Sequence, residues 1–161
     1  MKVLGTTNET YARAKQQGLE TGYVAAKPDI EAAVAYLYGK NHNKPIILLG
    51  SSYSASVALL VAVENSTMIK AVIAFSPGEY LKNIDVAQSI SAMEIPVFVT
   101  SAKKEASDTA KLTASINPKF VTQYTPSSEG AHGARSLWAK TPGSQEYWRA
   151  LEEFLTSLGK A

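Results

Sequence analysis

The stretch Ile46-Ile47-Leu48-Leu49-Gly50-Ser51-Ser52-Tyr53-Ser54-Ala55-Ser56 decides the fold. A short run of branched apolar residues ends in a cluster of small ones, and a helical pattern begins at once. That is the outline of a strand, a sharp turn and a helix. Ser52 stands at the apex. The backbone there bends so tightly that the residues two before and two after must be small, and they are Gly50 and Ser54. Ser52 is therefore the candidate nucleophile. The spacing is Gly-x-Ser-x-Gly with serine in place of the second glycine, and its position between strand and helix gives it weight. The competing reading is a cap, in which the serine accepts a bond from a free N–H of the first helical turn.

Working outward, four short apolar runs rich in branched or aromatic residues read as strands: 46–49, 71–75, 97–100 and 120–124. Between the first two, residues 53–65 form a helix apolar on most of its surface, expected to lie buried against the sheet. Residues 76–94 hold a loop and a short helix, and 106–116 a helix stopped by Asn117-Pro118. Upstream, residues 8–17 read as a helix ended by Gly18 and 20–27 as a connection. Pro28-Asp29 then opens a helix whose Ile30, Val34, Leu37 and Tyr38 make one apolar stripe facing a core. Downstream, a loop over 126–143 leads into a final helix, 144–158. Strands alternating with helices, and continuous apolar runs, predict an α/β fold. It is a three-layer sandwich whose mostly parallel sheet of about four strands is covered on both faces. Ligands in such sheets bind beyond the carboxyl ends of the strands.

Composition bounds the function. A chain of 161 residues is expected to form one domain spanning 1–161. Hydrophobic residues make up 45% and charged ones 19%, as in an ordinary folded soluble protein. The formal charge of +2 and the scattering of Lys and Arg argue against a nucleic-acid partner. No cysteine is present, which removes disulfides, thiolate chemistry and Cys-based metal sites. The two histidines, His42 and His132, come without a ligand cluster, so no metal is expected. With no bilayer-length apolar run and no signal-peptide core over 1–15, the chain reads as cytoplasmic and free of membrane. A secreted or periplasmic location stays open if the N-terminus is incomplete.

A serine hydroxyl needs a histidine to take its proton and a carboxylate to orient that histidine. Glu105 follows the third strand in Ser101-Ala102-Lys103-Lys104-Glu105, and His132 follows the last in Glu129-Gly130-Ala131-His132-Gly133. The order serine, acid, histidine, all at one sheet edge, is that of the α/β-hydrolase fold. Each residue alone has a plainer reading: Glu105 as a charge in the first turn of the next helix, His132 as a surface loop residue. Asp108 and Asp85 compete for the acid role, and His42 falls at the wrong end of the sheet.

The stretches 47–56, 95–105 and 129–138, with the aromatic-rich terminal helix and Phe75-Ser76-Pro77-Gly78-Glu79-Tyr80, resemble the C-terminal portion of α/β hydrolases, nearest to the dienelactone-hydrolase-like group. The resemblance covers roughly residues 28–159. It implies Ser52 as nucleophile, Glu105 as acid and His132 as base, with the backbone N–H of Tyr53 as one oxyanion donor. The function expected is hydrolysis of a carboxylic ester or thioester of small-molecule size, without cofactor. Tyr53, Tyr80 and Trp138 are the expected pocket walls, with Tyr80 and Trp138 the expected substrate contacts, against the plainer reading of aromatics as core.

Hydrolases of this fold place several strands, and a second oxyanion donor, before the nucleophile strand. Only about 45 residues precede Ile46 here, and Lys2 to Leu4 is the one stretch with a strand-like look. The chain thus reads as shortened on that side, with two expected consequences. A lost oxyanion donor costs roughly 10²- to 10³-fold in rate. An unpaired apolar edge at 46–49 invites a homo-oligomer. The rival expectation is a non-catalytic, hydrolase-derived domain that binds a protein or small ligand. A third, a flavodoxin-like module, would use the N–H groups of residues 50–54 to cradle phosphate.

Overall fold

The computed structural model describes residues 2–3 and 6–159. Four parallel strands form the central sheet: β3 (Ile46–Ser51), β4 (Ile69–Phe75), β5 (Val97–Thr100) and β6 (Val121–Tyr124), side by side in that order. Two earlier strands, β1 (Lys2–Val3) and β2 (Thr6–Thr7), pair with each other antiparallel and stay outside this sheet. The strand-like look of Lys2 to Leu4 is thus met at Lys2–Val3, while Leu4 lies outside the described residues.

The connections are α3 (Tyr53–Glu64), α4 (Val86–Ser89) and α5 (Ala106–Thr113). Because each crossover steps to the next strand in the same direction, a single handedness sends all three helices to one face. The packing agrees. Val72, Ala74, Val97 and Val99 share a core with α3 residues and with Val86 and Leu112, whereas Ala71, Ile73, Phe75 and Phe98 pack with Leu151 and Phe154 of α6 (Ser144–Ser157) and with Leu158, which caps it. Helix α3 is buried from Ala55 through Ala62, as its nearly all-apolar surface requires.

The expected three-layer arrangement is present, with two local departures. The second face is covered by α6 over β4 and β5, but not over β3. Ile47 and Leu49, in register with Ala71 and Ile73, are 41% and 50% exposed. The apolar stripe of α2 (Lys27–Lys40) does not face a closed core either. Val34 is buried, Ile30 and Tyr38 are half-buried, and Leu37 is 50% exposed. Helix α2 leans on α3 and on the flank of the edge strand, so its stripe lines a groove with Ile46 and Leu48 that is open on one side. The preceding helix α1 (Glu9–Gln16) is capped by Asn8, whose side chain accepts from Tyr11 N–H at 2.9 Å, and Gly18 follows it at positive φ.

Among the described residues, no helix is long and apolar enough to cross a membrane.

Candidate active site

Between β3 and α3 the chain turns on one residue. Ser52 has φ +59° and ψ −132°, a conformation costly for any residue with a side chain and held only where its surroundings dictate it. Gly50 is what lets the helix start so close. A Cβ there would collide with the Ser54 carbonyl oxygen and come within 2.5 Å of Ala55 Cα. Ser54 closes the turn, its hydroxyl donating to the Ser51 carbonyl at 2.8 Å and accepting from Ser51 N–H at 3.0 Å. Ser52 N–H donates to the Phe75 carbonyl of β4 at 2.8 Å. Two amides that a phosphate cradle at 50–54 would need are therefore already used, which weakens the flavodoxin-like reading.

The Ser52 side chain makes no cap bond to α3. It points instead to His132, with Oγ 2.9 Å from Nε2. The other ring nitrogen, Nδ1, lies 2.8 Å from Glu105 Oε1. Residues 80 and 27 positions apart in the chain are thus joined in one hydrogen-bonded line at the carboxyl edge of the sheet. Glu105 ends a short 3₁₀ turn after β5, and His132 lies in the loop after β6. The two loops are tied by Lys103 N–H donating to the Glu129 carbonyl at 3.0 Å.

The acid is held from its far side as well. Ser76 Oγ donates to Glu105 Oε2 at 2.8 Å, and Ala102 N–H reaches the same oxygen at 3.2 Å. Burial pushes the Glu105 carboxyl up, but the bonds from Ser76, His132 and Ala102, with the His132 charge, hold it below its ordinary 4.5. Ser76 also accepts from Gly133 N–H at 2.9 Å, and Ser51 Oγ accepts from Ala134 N–H at 2.9 Å. The histidine loop is thereby pinned to the ends of both β3 and β4. Gly133, at φ +66°, permits this approach, since a Cβ there would come within 2.5 Å of Ser51 Oγ.

The rival residues go elsewhere. Asp108, with its side chain 84% exposed, pairs with Lys111 at 3.1 Å. Asp85 caps α4 through Gln88 N–H, and His42 sits in the turn before β3. Tyr53 is the first residue of α3, so its N–H belongs to the amides that a helix leaves without an internal partner. Its ring stacks on Tyr23 with centroids 4.1 Å apart.

Tyr80 and Trp138 do not share a pocket. Trp138 lines a cavity of about 550 Å³ together with His132. Tyr80 borders a different groove, beside Tyr23 and Pro28, and its hydroxyl reaches the Ser76 carbonyl at 3.3 Å. Burial and then the Glu105 charge raise the Tyr80 hydroxyl above its ordinary 10.

Ser51 and Ser76 escaped the sequence reading, because serines beside glycine and proline are ordinary turn residues. The available signal for both was position, each closing or following a strand at the edge that carries the triad.

No protein-family model matches the chain, and no curated protein is matched by it. Among solved structures it is similar to the esterase Pf2001 of Pyrococcus furiosus, with a TM-score of 0.66 and 17% sequence identity. The likeness covers 86% of this chain and 64% of the esterase chain. The chain therefore spans less than two thirds of that esterase's length. At this identity the likeness concerns the fold, and the fold is α/β-hydrolase-like.

Proposed function

We propose that the protein is a serine hydrolase of the dienelactone-hydrolase-like kind, cleaving carboxylic ester or thioester bonds. The observation that carries this reading is the line Ser52 Oγ, His132, Glu105, with both contacts under 3 Å. The strained apex serine and the esterase-like fold add support. Ser52 Oγ attacks the acyl carbon while His132 Nε2 takes its proton. Glu105, at Nδ1, fixes the tautomer and stabilises the imidazolium. The oxyanion is met by the N–H of Tyr53. The C–O or C–S bond breaks as His132 protonates the leaving group. Water, deprotonated by His132, then releases the acid and restores Ser52. Trp138 forms a wall beside His132, and Tyr80 steadies the Ser76 turn from outside.

The test is hydrolysis of short-chain 4-nitrophenyl esters. The native chain is expected to exceed the Ser52→Ala variant by roughly 10³-fold or more. Equal rates in a folded variant would overturn the reading.

A second reading is favoured by β3, which among the described residues pairs with a strand on one side only and whose Ile47 and Leu49 are substantially exposed. Here the domain is a non-catalytic relative that binds a protein or small ligand, or a second copy, at that edge.

A further inference from the structure

Helix α6 sends one buried hydroxyl to the loops that carry the candidate acid and base. Tyr147 is 0% exposed, and its hydroxyl donates to the Ser101 carbonyl at 2.9 Å. That carbonyl and the Ala102 N–H are the two ends of a single peptide group, which follows β5. The Ala102 N–H donates to Glu105 Oε2 at 3.2 Å. Because a peptide group is planar and rigid, a bond that fixes its carbonyl also fixes the direction of its N–H. The tyrosine therefore acts on the Glu105 carboxylate through one peptide plane.

The same oxygen meets the loop of the base. Gly130, two residues before His132, has φ +63°, and a Cβ there would collide with the Tyr147 hydroxyl. The loop thus settles onto this oxygen at a position where only a hydrogen fits. Burial raises the Tyr147 hydroxyl above its ordinary 10; the Ala131 main chain opposes the rise and the Glu105 charge adds to it. The hydroxyl therefore remains a donor at neutral pH. The Tyr124 ring stands edge-on to the Tyr147 ring, with centroids 5.2 Å apart, and steadies it. Packing alone would be served by a phenyl ring, or by a hydroxyl satisfied at any carbonyl. We propose, resting on the hydrolase reading above, that Tyr147 is a positioning residue. Its hydroxyl sets the alignment of Glu105 with His132 Nδ1 by holding the Ser101–Ala102 peptide on one side and supporting Gly130 on the other.

The test compares Tyr147→Phe, which keeps the ring and removes the oxygen, with Tyr124→Phe, which removes the neighbouring hydroxyl that donates to Glu146 Oε2 instead. Proton NMR reads the His132–Glu105 bond directly, as the downfield Nδ1–H signal that His132→Ala abolishes. In folded Tyr147→Phe this signal is expected to move upfield and broaden, and labelling of Ser52 by a fluorophosphonate to slow by roughly ten- to hundredfold. Tyr124→Phe is expected to leave both at native values. Gly130→Ala keeps the tyrosine and forces the loop off it, so it tests the same contact should Tyr147→Phe not fold, with the same displacement expected. A native-like signal in either folded variant, an equal displacement in Tyr124→Phe, or no such signal from the native chain would overturn the proposal. The signal is read without turnover, so the two readings fail separately. A native chain that takes no label contradicts the hydrolase reading, whereas a native chain labelled no faster than Tyr147→Phe contradicts the positioning role alone.

Discussion

Ser76 holds φ +51° while 1% exposed, a conformation that serine seldom adopts and that its contacts must support. Its hydroxyl serves two partners, Glu105 Oε2 and Gly133 N–H, and so links the acid to the histidine loop. In Ser76→Ala both lose that partner, the Gly133 N–H in a buried setting and the Glu105 carboxylate in a part-buried one. The expected cost is about 1–3 kcal/mol, read by chemical denaturation, together with slower reaction at Ser52 as the His132–Glu105 geometry loosens. Unchanged stability and reactivity would show the link to be idle. Glu105 adds a pH dependence whose sign follows from its lowered folded value. The folded state favours the carboxylate, so its contribution is fully present above the ordinary 4.5 and is lost as pH falls through the lowered value. Glu105→Gln is expected to flatten this part of the acid unfolding curve and to slow Ser52 chemistry by roughly 10²- to 10⁴-fold at neutral pH. An acid limb identical to the native one would contradict the assignment.

At the scale of elements, the turn from β3 into α3 depends on Gly50. In Gly50→Ala the new methyl would meet backbone atoms of Ser54 and Ala55, which no side-chain rotation can relieve. A loss on the order of 2–4 kcal/mol is expected in denaturant unfolding. An alanine variant as stable as the native chain would mean that the turn is looser than described. The other consequence of β3 lies on its open side. Leu49→Lys puts a charge on a half-exposed edge position and is expected to reduce any self-association seen by sedimentation, with persistence of the same oligomer arguing against the edge as its site. These elements also mark what the sequence revealed. The strand at Val97–Thr100 and the burial of α3 were legible, because continuous apolar runs leave few alternatives. The setting of α2 was not. A 3.6-residue stripe shows that one face avoids water but not whether its cover is a closed core or an open groove at a sheet edge.

For the whole molecule, the parallel order β3-β4-β5-β6 brings the ends of strands 24 or more residues apart to one edge, where Ser52, Ser76, Glu105 and His132 meet. The candidate nucleophile, acid and base were legible because their order along the chain maps onto strand order in space. The bonds of Ser51 and Ser76 to the histidine loop were not, since they join positions 83 and 57 residues apart and depend on how closely that loop settles on the sheet. Nor was the separation of Tyr80 from Trp138, which line different cavities, one beside His132 and the other beside Tyr23 and Pro28. The central claim is that this geometry activates Ser52. The most direct measurement is reaction with a fluorophosphonate, locating the adduct by mass spectrometry in the native chain and in the folded Ser52→Ala and His132→Ala variants. The account predicts an adduct on Ser52 in the native chain and none at that position in either variant. A native chain that takes no label, or one labelled equally well without His132, would contradict it.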